Sequence, residues 1–374
     1  MIRKKFLAVM LTASMVIGTV AVNNSNTNTA EATTHEKNQL QETISNLTKG
    51  YSEYYNISNV NTTLCSSGKA DGNIENTYLL EMEAVLKADS VEDMDYYKGI
   101  SDYYSAAKTG LSKINSQNNK LRMSVLSSEQ SDIYEELEEY IGKEQNLVFY
   151  LKETYPENNE TDKEILFENG VDYVSWEVML PSSHDELRIN GYERMADMDY
   201  EYASVSEKAN IQNAKAAYSI TKAVNYMTKY TSNPTSCNVC GKGCSSKVDT
   251  TKYNPNYKHY VSNGSHVDCA NYVSQALHAG GISTDNTWKA ASTAWVNVSK
   301  LTSYMTSNGH WKKINYKNVK NGDIVSFTSY SHVVMITSYD GTTYKFSGHT
   351  NDRKNATISI NSSTASSYNF YRVS

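Results

Sequence analysis

The sequence predicts an α+β protein: a helical acidic region, then a small α+β region, then a C-terminal domain in which a cysteine-led helix precedes a run of short strands. Three observations predict it. Apolar and Tyr positions recur three and four residues apart before Asn146 and change to short alternating runs after it. Charge inverts along the chain. Thr33 to Ala214 holds 15 Lys and Arg against 34 Asp and Glu, net −19, whereas Lys215 to Ser374 holds 17 against 6, net +11, with no Glu. Finally, Asp268-Cys269 opens a helical stretch that stops at Gly280-Gly281, and Asp340-Gly341 separates two β-like runs.

Taken in order, Arg3, Lys4 and Lys5 lead an apolar run from Phe6 to Val22, and Ala30-Glu31-Ala32 offers a small-x-small cleavage site. Residues 1–32 therefore read as a secretory signal peptide. No later stretch is apolar enough for an integral membrane span, so the mature chain is expected to be exported and soluble. The remaining length suits two or three domains at roughly 150 residues each, which excludes a collagen, a coiled-coil rod or a membrane transporter.

Helical spacing runs over Gln39–Tyr55, Asn76–Lys87, Met94–Ile114 and Gln130–Glu144, with Leu64–Asn73 as a loop. Short strands are expected at Leu147–Tyr155, Val171–Leu180 and Ala196–Ser204, broken by Pro156 and Pro181. Glu135, Glu136, Glu138 and Glu139 read as a solvated helix face. Ala209–Tyr230 is again helical. The expected organisation is a mainly helical acidic region at 33–125, a small α+β region at 126–208 and a C-terminal domain at 209–374, with a Cys-bearing loop at 231–260. The 30 Tyr against 6 Phe supply half-polar rings suited to shallow cores or adhesive surfaces.

Cys269 follows an N-cap residue, so it occupies a first helical turn, where unpaired N–H groups and the helix dipole favour a thiolate. Ala270, Val273, Ala276 and Leu277 mark the buried stripe of that helix. A cysteine nucleophile needs a base within reach and a group that holds the base. With a two-residue turn at Asp340-Gly341, His332 faces His349 across the hairpin, so that one imidazole takes the thiol proton and the other orients it. A bulge in either strand would break this register. Cysteine, strand histidine and a second histidine, in that order, follow the logic of nucleophile, base and orienter found in papain-type enzymes.

Asp268-Cys269-Ala270-Asn271-Tyr272-Val273-Ser274-Gln275-Ala276-Leu277-His278-Ala279-Gly280-Gly281, preceded by Asn254-Pro255-Asn256-Tyr257, resembles the signature of the putative amidase domain family of exported bacterial proteins. Trp288, Ala294-Trp295-Val296-Asn297-Val298, Gly322-Asp323-Ile324-Val325, Ser331-His332-Val333 and His349-Thr350-Asn351-Asp352-Arg353 extend the likeness over roughly residues 210–374. That family is similar to the NlpC-type wall peptidases and to papain-like cysteine hydrolases. The resemblance implies a papain-like domain with Cys269 as nucleophile, His332 as base and His349 as the orienting residue, Asn351 being the alternative third member. It implies hydrolysis of an amide in peptidoglycan or a related wall peptide through a thioester, with no cofactor. The Cys269 backbone N–H, with a group from the loop Asn263–Val267, is the expected oxyanion donor. Trp288, Trp295 and Trp311 read as ordinary core or rim aromatics ahead of the alternative that they line the substrate cleft. The rival readings are a secreted peptidase or amidase acting on soluble amides and a non-catalytic wall-binding protein.

Five Cys make an odd count. Two disulfides among Cys65, Cys237, Cys240 and Cys244 would leave Cys269 free, and this is the preferred reading in an exported chain. Cys237-x-x-Cys240-x-x-x-Cys244 with His259, His266 or Cys65 as a fourth ligand is the metal alternative. The basic half suits an anionic wall polymer or the chain's own acidic region. With no recognition motif, nucleic acid is not an expected partner.

Overall fold

In the computed structural model, residues 36–111, 117–206, 218–240, 246–262 and 264–373 are described. The expected signal segment, residues 209–217 at the start of the expected helix Ala209–Tyr230, and Cys244 lie outside them. None of the described helices is long and apolar enough to cross a membrane.

The chain is α+β. Helix α1 (Glu36–Tyr51) turns Ile44, Leu47 and Tyr51 inward at the spacing of one helical face. A long hairpin follows, β1 (Tyr55–Ala70) and β2 (Asn73–Leu86). This corrects two expectations, the loop at Leu64–Asn73 and the helix at Asn76–Lys87. Leu80, Met82, Ala84 and Leu86 are buried at every second position, the period of a strand. The two strands meet at Asp71-Gly72, both with positive φ, +50° and +80°. Asp-Gly favours that two-residue hairpin turn.

Helices α2 (Asp95–Leu111) and α3 (Gln117–Glu138) precede β3 (Glu144–Pro156), β4 (Glu164–Asn169), β5 (Asp172–Val174) and α4 (His184–Ser206). The five strands form an antiparallel meander in the order β1-β2-β3-β4-β5. Ala196–Ser204, expected as a strand, belongs to α4, and only Asp172–Val174 of the stretch Val171–Leu180 is extended. Helix α4 is fixed by contact rather than by its own periodicity. A Cβ at Gly99 would lie 1.8 Å from the Arg188 carbonyl oxygen, and one at Gly191 would lie 1.9 Å from that of Tyr96. Glycine therefore lets the α2 and α4 backbones approach where any side chain would separate them.

The C-terminal part carries α5 (Ile220–Lys229), β6 (Val261–Ser262), β7 (Ser265–His266), α6 (Cys269–Ala279), α7 (Thr293–Val296) and α8 (Val298–Ser307). Strands β8 (Trp311–Ile314), β9 (Ile324–Phe327), β10 (Val333–Tyr339), β11 (Tyr344–Gly348), β12 (Arg353–Ile358) and β13 (Tyr368–Val373) form one sheet in the order β12-β11-β10-β9-β13-β8. Alternation divides its side chains between two cores. Ile324, Val333, Met335 and Tyr371 pack with Ala270, Val273, Ala276 and Leu277 of α6. Val325, Phe327, Val334, Ile336 and Phe346 share a core with Leu147, Phe149 and Phe167 of the N-terminal sheet. Trp288, Trp295 and Trp311 are all buried in the helix-side core, so they pack that core instead of lining a cleft.

The acidic and basic parts therefore meet across a buried interface. Arg353 donates from Nε and a terminal nitrogen to the two oxygens of Glu168, at 2.8 and 2.6 Å, and lies 3.5 Å over the Tyr150 ring. Tyr55 Oη stands 2.9 Å from an Asp340 carboxylate oxygen and 2.8 Å from the Thr343 hydroxyl, which anchors β1 to the turn between β10 and β11.

Candidate active site

Cys269 begins α6 and is 6% exposed. Its sulfur lies 3.9 Å from the Ser331 carbonyl oxygen, so it packs against the chain entering β10. Burial pushes the thiol above its ordinary value. The N–H groups of Val333 and Ala270 and the Thr350 hydroxyl oppose this by donating toward sulfur. The helix-start position supplies the expected donors, yet desolvation outweighs them, and the resting group is a thiol.

His349 is sandwiched between Tyr272 and Tyr253, with ring centroids 3.5 and 3.7 Å away. Its Nδ1 lies 2.8 Å from Asp268 Oδ2 and its Nε2 lies 2.9 Å from the Tyr230 carbonyl oxygen. Both partners are acceptors, so the ring is held from both of its nitrogens. Asp268 also accepts from the Tyr260 N–H and from Asn271 Nδ2. His349 thus positions the residue immediately before Cys269.

The expected pairing of His332 with His349 is corrected by the register. Tyr339 pairs with Tyr344 and Met335 with Ser347, with a bulge between Ile336 and Ser338. Asp340 Oδ1 accepts the N–H groups of Thr342 and Thr343, which opens the connection to four residues. With Gly341 at φ +84°, this turn alone would set position 334 across from 349, and the bulge at Thr337 shifts the register by one more residue, so that 333, not 332, faces 349. The two imidazoles fall on opposite faces. His332 continues the row of Val334 and Ile336 toward the N-terminal sheet, its ring 5.3 Å from that of Phe327. Asn351 lies in the turn before β12 and accepts the Lys247 N–H, which ties the 231–260 loop to that turn.

Burial, reinforced by the Arg353 charge, pulls His332 down from 6.5 to about 4. The folded state therefore holds the imidazole neutral where the unfolded chain takes up a proton. As pH falls through this window the unfolded chain binds more protons, so stability drops, by about 3 kcal/mol at the lower end at ~1.36 kcal/mol per unit. Urea unfolding between about pH 7 and pH 4 checks this: His332→Gln should lose less stability on acidification than the parent chain. Equal losses would assign the acid sensitivity to other groups.

Among the described residues the cysteines do not form the expected bridges; Cys244 lies outside them. Cys65, Cys237 and Cys269 carry free thiols. Cys65 packs with Leu79, Val148 and Tyr150 on the N-terminal sheet, next to Ser66, whose hydroxyl accepts from Lys247 of the 231–260 loop. Cys237 Sγ, Cys240 Sγ and a ring nitrogen of His266 instead lie within 4.8 Å of one another, a donor set able to hold a metal ion.

Residues 217–372 match the family model described as a putative amidase domain. The chain is also 27% identical over 153 residues to the uncharacterized protein YjcM of Bacillus subtilis strain 168, a stretch that covers 40% of this chain and 32% of that protein. The chain thus spans about a third of the length of that relative. No solved structure matches the chain. The helix led by Asp268-Cys269, the Gly322-Asp323 strand entry and the Ser331-His332-Val333 run all fall within the segment that matches the putative amidase domain.

Proposed function

We propose that the C-terminal domain is an exported, papain-like cysteine amidase acting on an amide of peptidoglycan or a related wall peptide, with Cys269 as nucleophile and His332 as acid and base. The observation that carries this reading is the setting of the Cys269 sulfur: a helix start, with the Val333 N–H, Ala270 N–H and Thr350 hydroxyl all directed at it, inside an amidase-family domain. Such donors stabilise negative charge on sulfur once substrate displaces the apolar surroundings.

In this mechanism the thiol proton passes to His332 as sulfur bonds to the amide carbonyl carbon. The oxyanion is held by the Cys269 backbone N–H, the imidazolium protonates the leaving amine, and water, deprotonated by the same imidazole, cleaves the thioester to free acid and thiol. His349 and Asp268 hold the helix start in place. At rest both partners are neutral and His332 is turned to the other face, so catalysis requires the chain at Ser331-His332 to reorient as substrate binds.

The buried thiol and the turned imidazole favour one second reading, a wall-binding scaffold without catalysis. Alkylation of the native full-length chain with iodoacetamide, read by mass spectrometry beside release of amines from purified wall and from peptides, separates the two. Labelling of Cys269 that abolishes amine release supports the amidase. An inert Cys269 with no release from any substrate supports the scaffold, and release from peptides alone moves the substrate to soluble amides.

A further inference from the structure

The loop that leads to Cys269 has little apolar content, yet it brings three soft donors together. Cys237 Sγ lies 3.3 Å and Cys240 Sγ 3.2 Å from the same nitrogen, Nε2 of His266. A neutral imidazole nitrogen offers one lone pair or one hydrogen, so it cannot satisfy two thiols as separate hydrogen bonds. A cation between three lone pairs can. Zinc bonds to sulfur at about 2.3 Å and to nitrogen at about 2.0 Å place neighbouring ligands of a tetrahedron roughly 3.5 Å apart, close to the spacings found.

Two further features belong to a metal site. The N–H groups of Val239 and Cys240 both point at Cys237 Sγ, each at 3.4 Å, an arrangement that would donate to a metal-bound sulfur. Nδ1 of His266 lies 3.0 Å from Nε2 of His259, so a proton held between these two nitrogens leaves Nε2 of His266 facing the sulfurs. An outer partner of this kind fixes the ring and tautomer of a ligating histidine. We infer that Cys237, Cys240 and His266 bind a zinc ion whose role is structural, bracing the loop that carries Asp268 and Cys269.

The bracing follows the contacts outward. His266 stands two residues before Asp268. His259 packs edge-on to Tyr253 at 5.3 Å, Tyr253 stacks on His349, and His349 bonds to Asp268. Tyr253 also donates to Asp352, 2.5 Å away, beside the turn that holds Thr350. On binding, each thiol gives up its proton to solvent as its sulfur bonds to zinc.

Metal analysis of the full-length chain, purified without chelator and desalted after zinc exposure, tests this independently of any amidase activity. Stoichiometric zinc, about one ion per chain, is expected. Cys237→Ser with Cys240→Ser should lower zinc content at least ~10-fold, and His259→Ala should weaken binding ~10–100-fold without abolishing it. A parent chain that stays zinc-free, a double variant that retains the metal, or a native Cys237–Cys240 disulfide found by mass spectrometry would each overturn the site. Should the double variant not fold, cobalt loading of the parent chain decides: thiolate-to-cobalt charge-transfer absorption supports the site, and its absence refutes it.

Discussion

Cys269→Ala is expected to lower amide hydrolysis by about 10⁴-fold or more while costing only about 1 kcal/mol of stability. The large kinetic term follows from the proposed mechanism, in which the Cys269 sulfur would form the covalent intermediate. The remaining residues can still bind and polarise an amide, but no thioester can form. The stability term is small because alanine fits the start of α6 and loses one buried sulfur, against which the Val333 and Thr350 donors must find other partners. Turnover and urea unfolding on the same preparation separate the two effects. Activity within ~10-fold of the parent chain would show that Cys269 is a packing residue and would remove the proposed mechanism. Parallel collapse of stability and activity would be read against Cys269→Ser, which keeps a hydrogen-bonding group at the same place with a poorer nucleophile.

The residues within the segment that matches the putative amidase domain were legible because each carries a local signal. Asp268 precedes a helix with an apolar stripe, Gly280-Gly281 ends it, and short apolar runs bounded by Gly322-Asp323 and Asp340-Gly341 mark β9 and β10 as strands. What local signals could not supply was register. Asp340-Gly341 announces a hairpin, but whether the turn has two residues or four depends on the Asp340 carboxylate capturing two N–H groups. A further bulge near Thr337 is bonded to Asn355 on a third strand. One step of register moves a side chain to the opposite face, and His332 shows that consequence.

The N-terminal part was harder for a related reason. Strands β1 and β2 are rich in Asn, Thr, Ser and Glu, so their alternation is carried by few apolar residues, and Asp71-Gly72 was the one turn signal that could have revealed them. The metal-like cluster was legible only in part. Cys237 and Cys240 declare themselves by spacing, whereas His266 reaches them through the β6–β7 pairing, a tertiary fact that left it one of three open ligands in the sequence. The surplus of Tyr also finds its reason in the fold. Tyr55 is buried and Tyr253 half-buried, and they spend their hydroxyls on Asp340 and Asp352, Tyr55 doing so where the two parts of the chain meet.

Glu168→Ala should destabilise the chain by about 3–5 kcal/mol, because it leaves the Arg353 guanidinium buried without its carboxylate. Both side chains are almost fully enclosed, 3% exposed for Arg353 and 6% for Glu168, and the paired geometry satisfies both oxygens of the acid. Truncating one partner is costly for the charge left behind rather than for the bond that is lost. It follows that Glu168→Leu with Arg353→Met, which removes both charges and keeps apolar volume, should recover most of the stability. The double variant also has a readout that packing alone would not give. Arg353 is one of the two influences holding His332 below its ordinary value, so removing the guanidinium should raise the His332 pKa and shrink the acid-induced loss of stability. Urea unfolding of the four combinations at neutral and acid pH measures both effects. If Glu168→Ala costs less than about 1 kcal/mol, water reaches the pair and the interface between the two sheets is looser than a packed core. If the pH dependence is unchanged in the double variant, His332 is held neutral by burial alone, and the N-terminal sheet acts on it through exclusion of water rather than through charge.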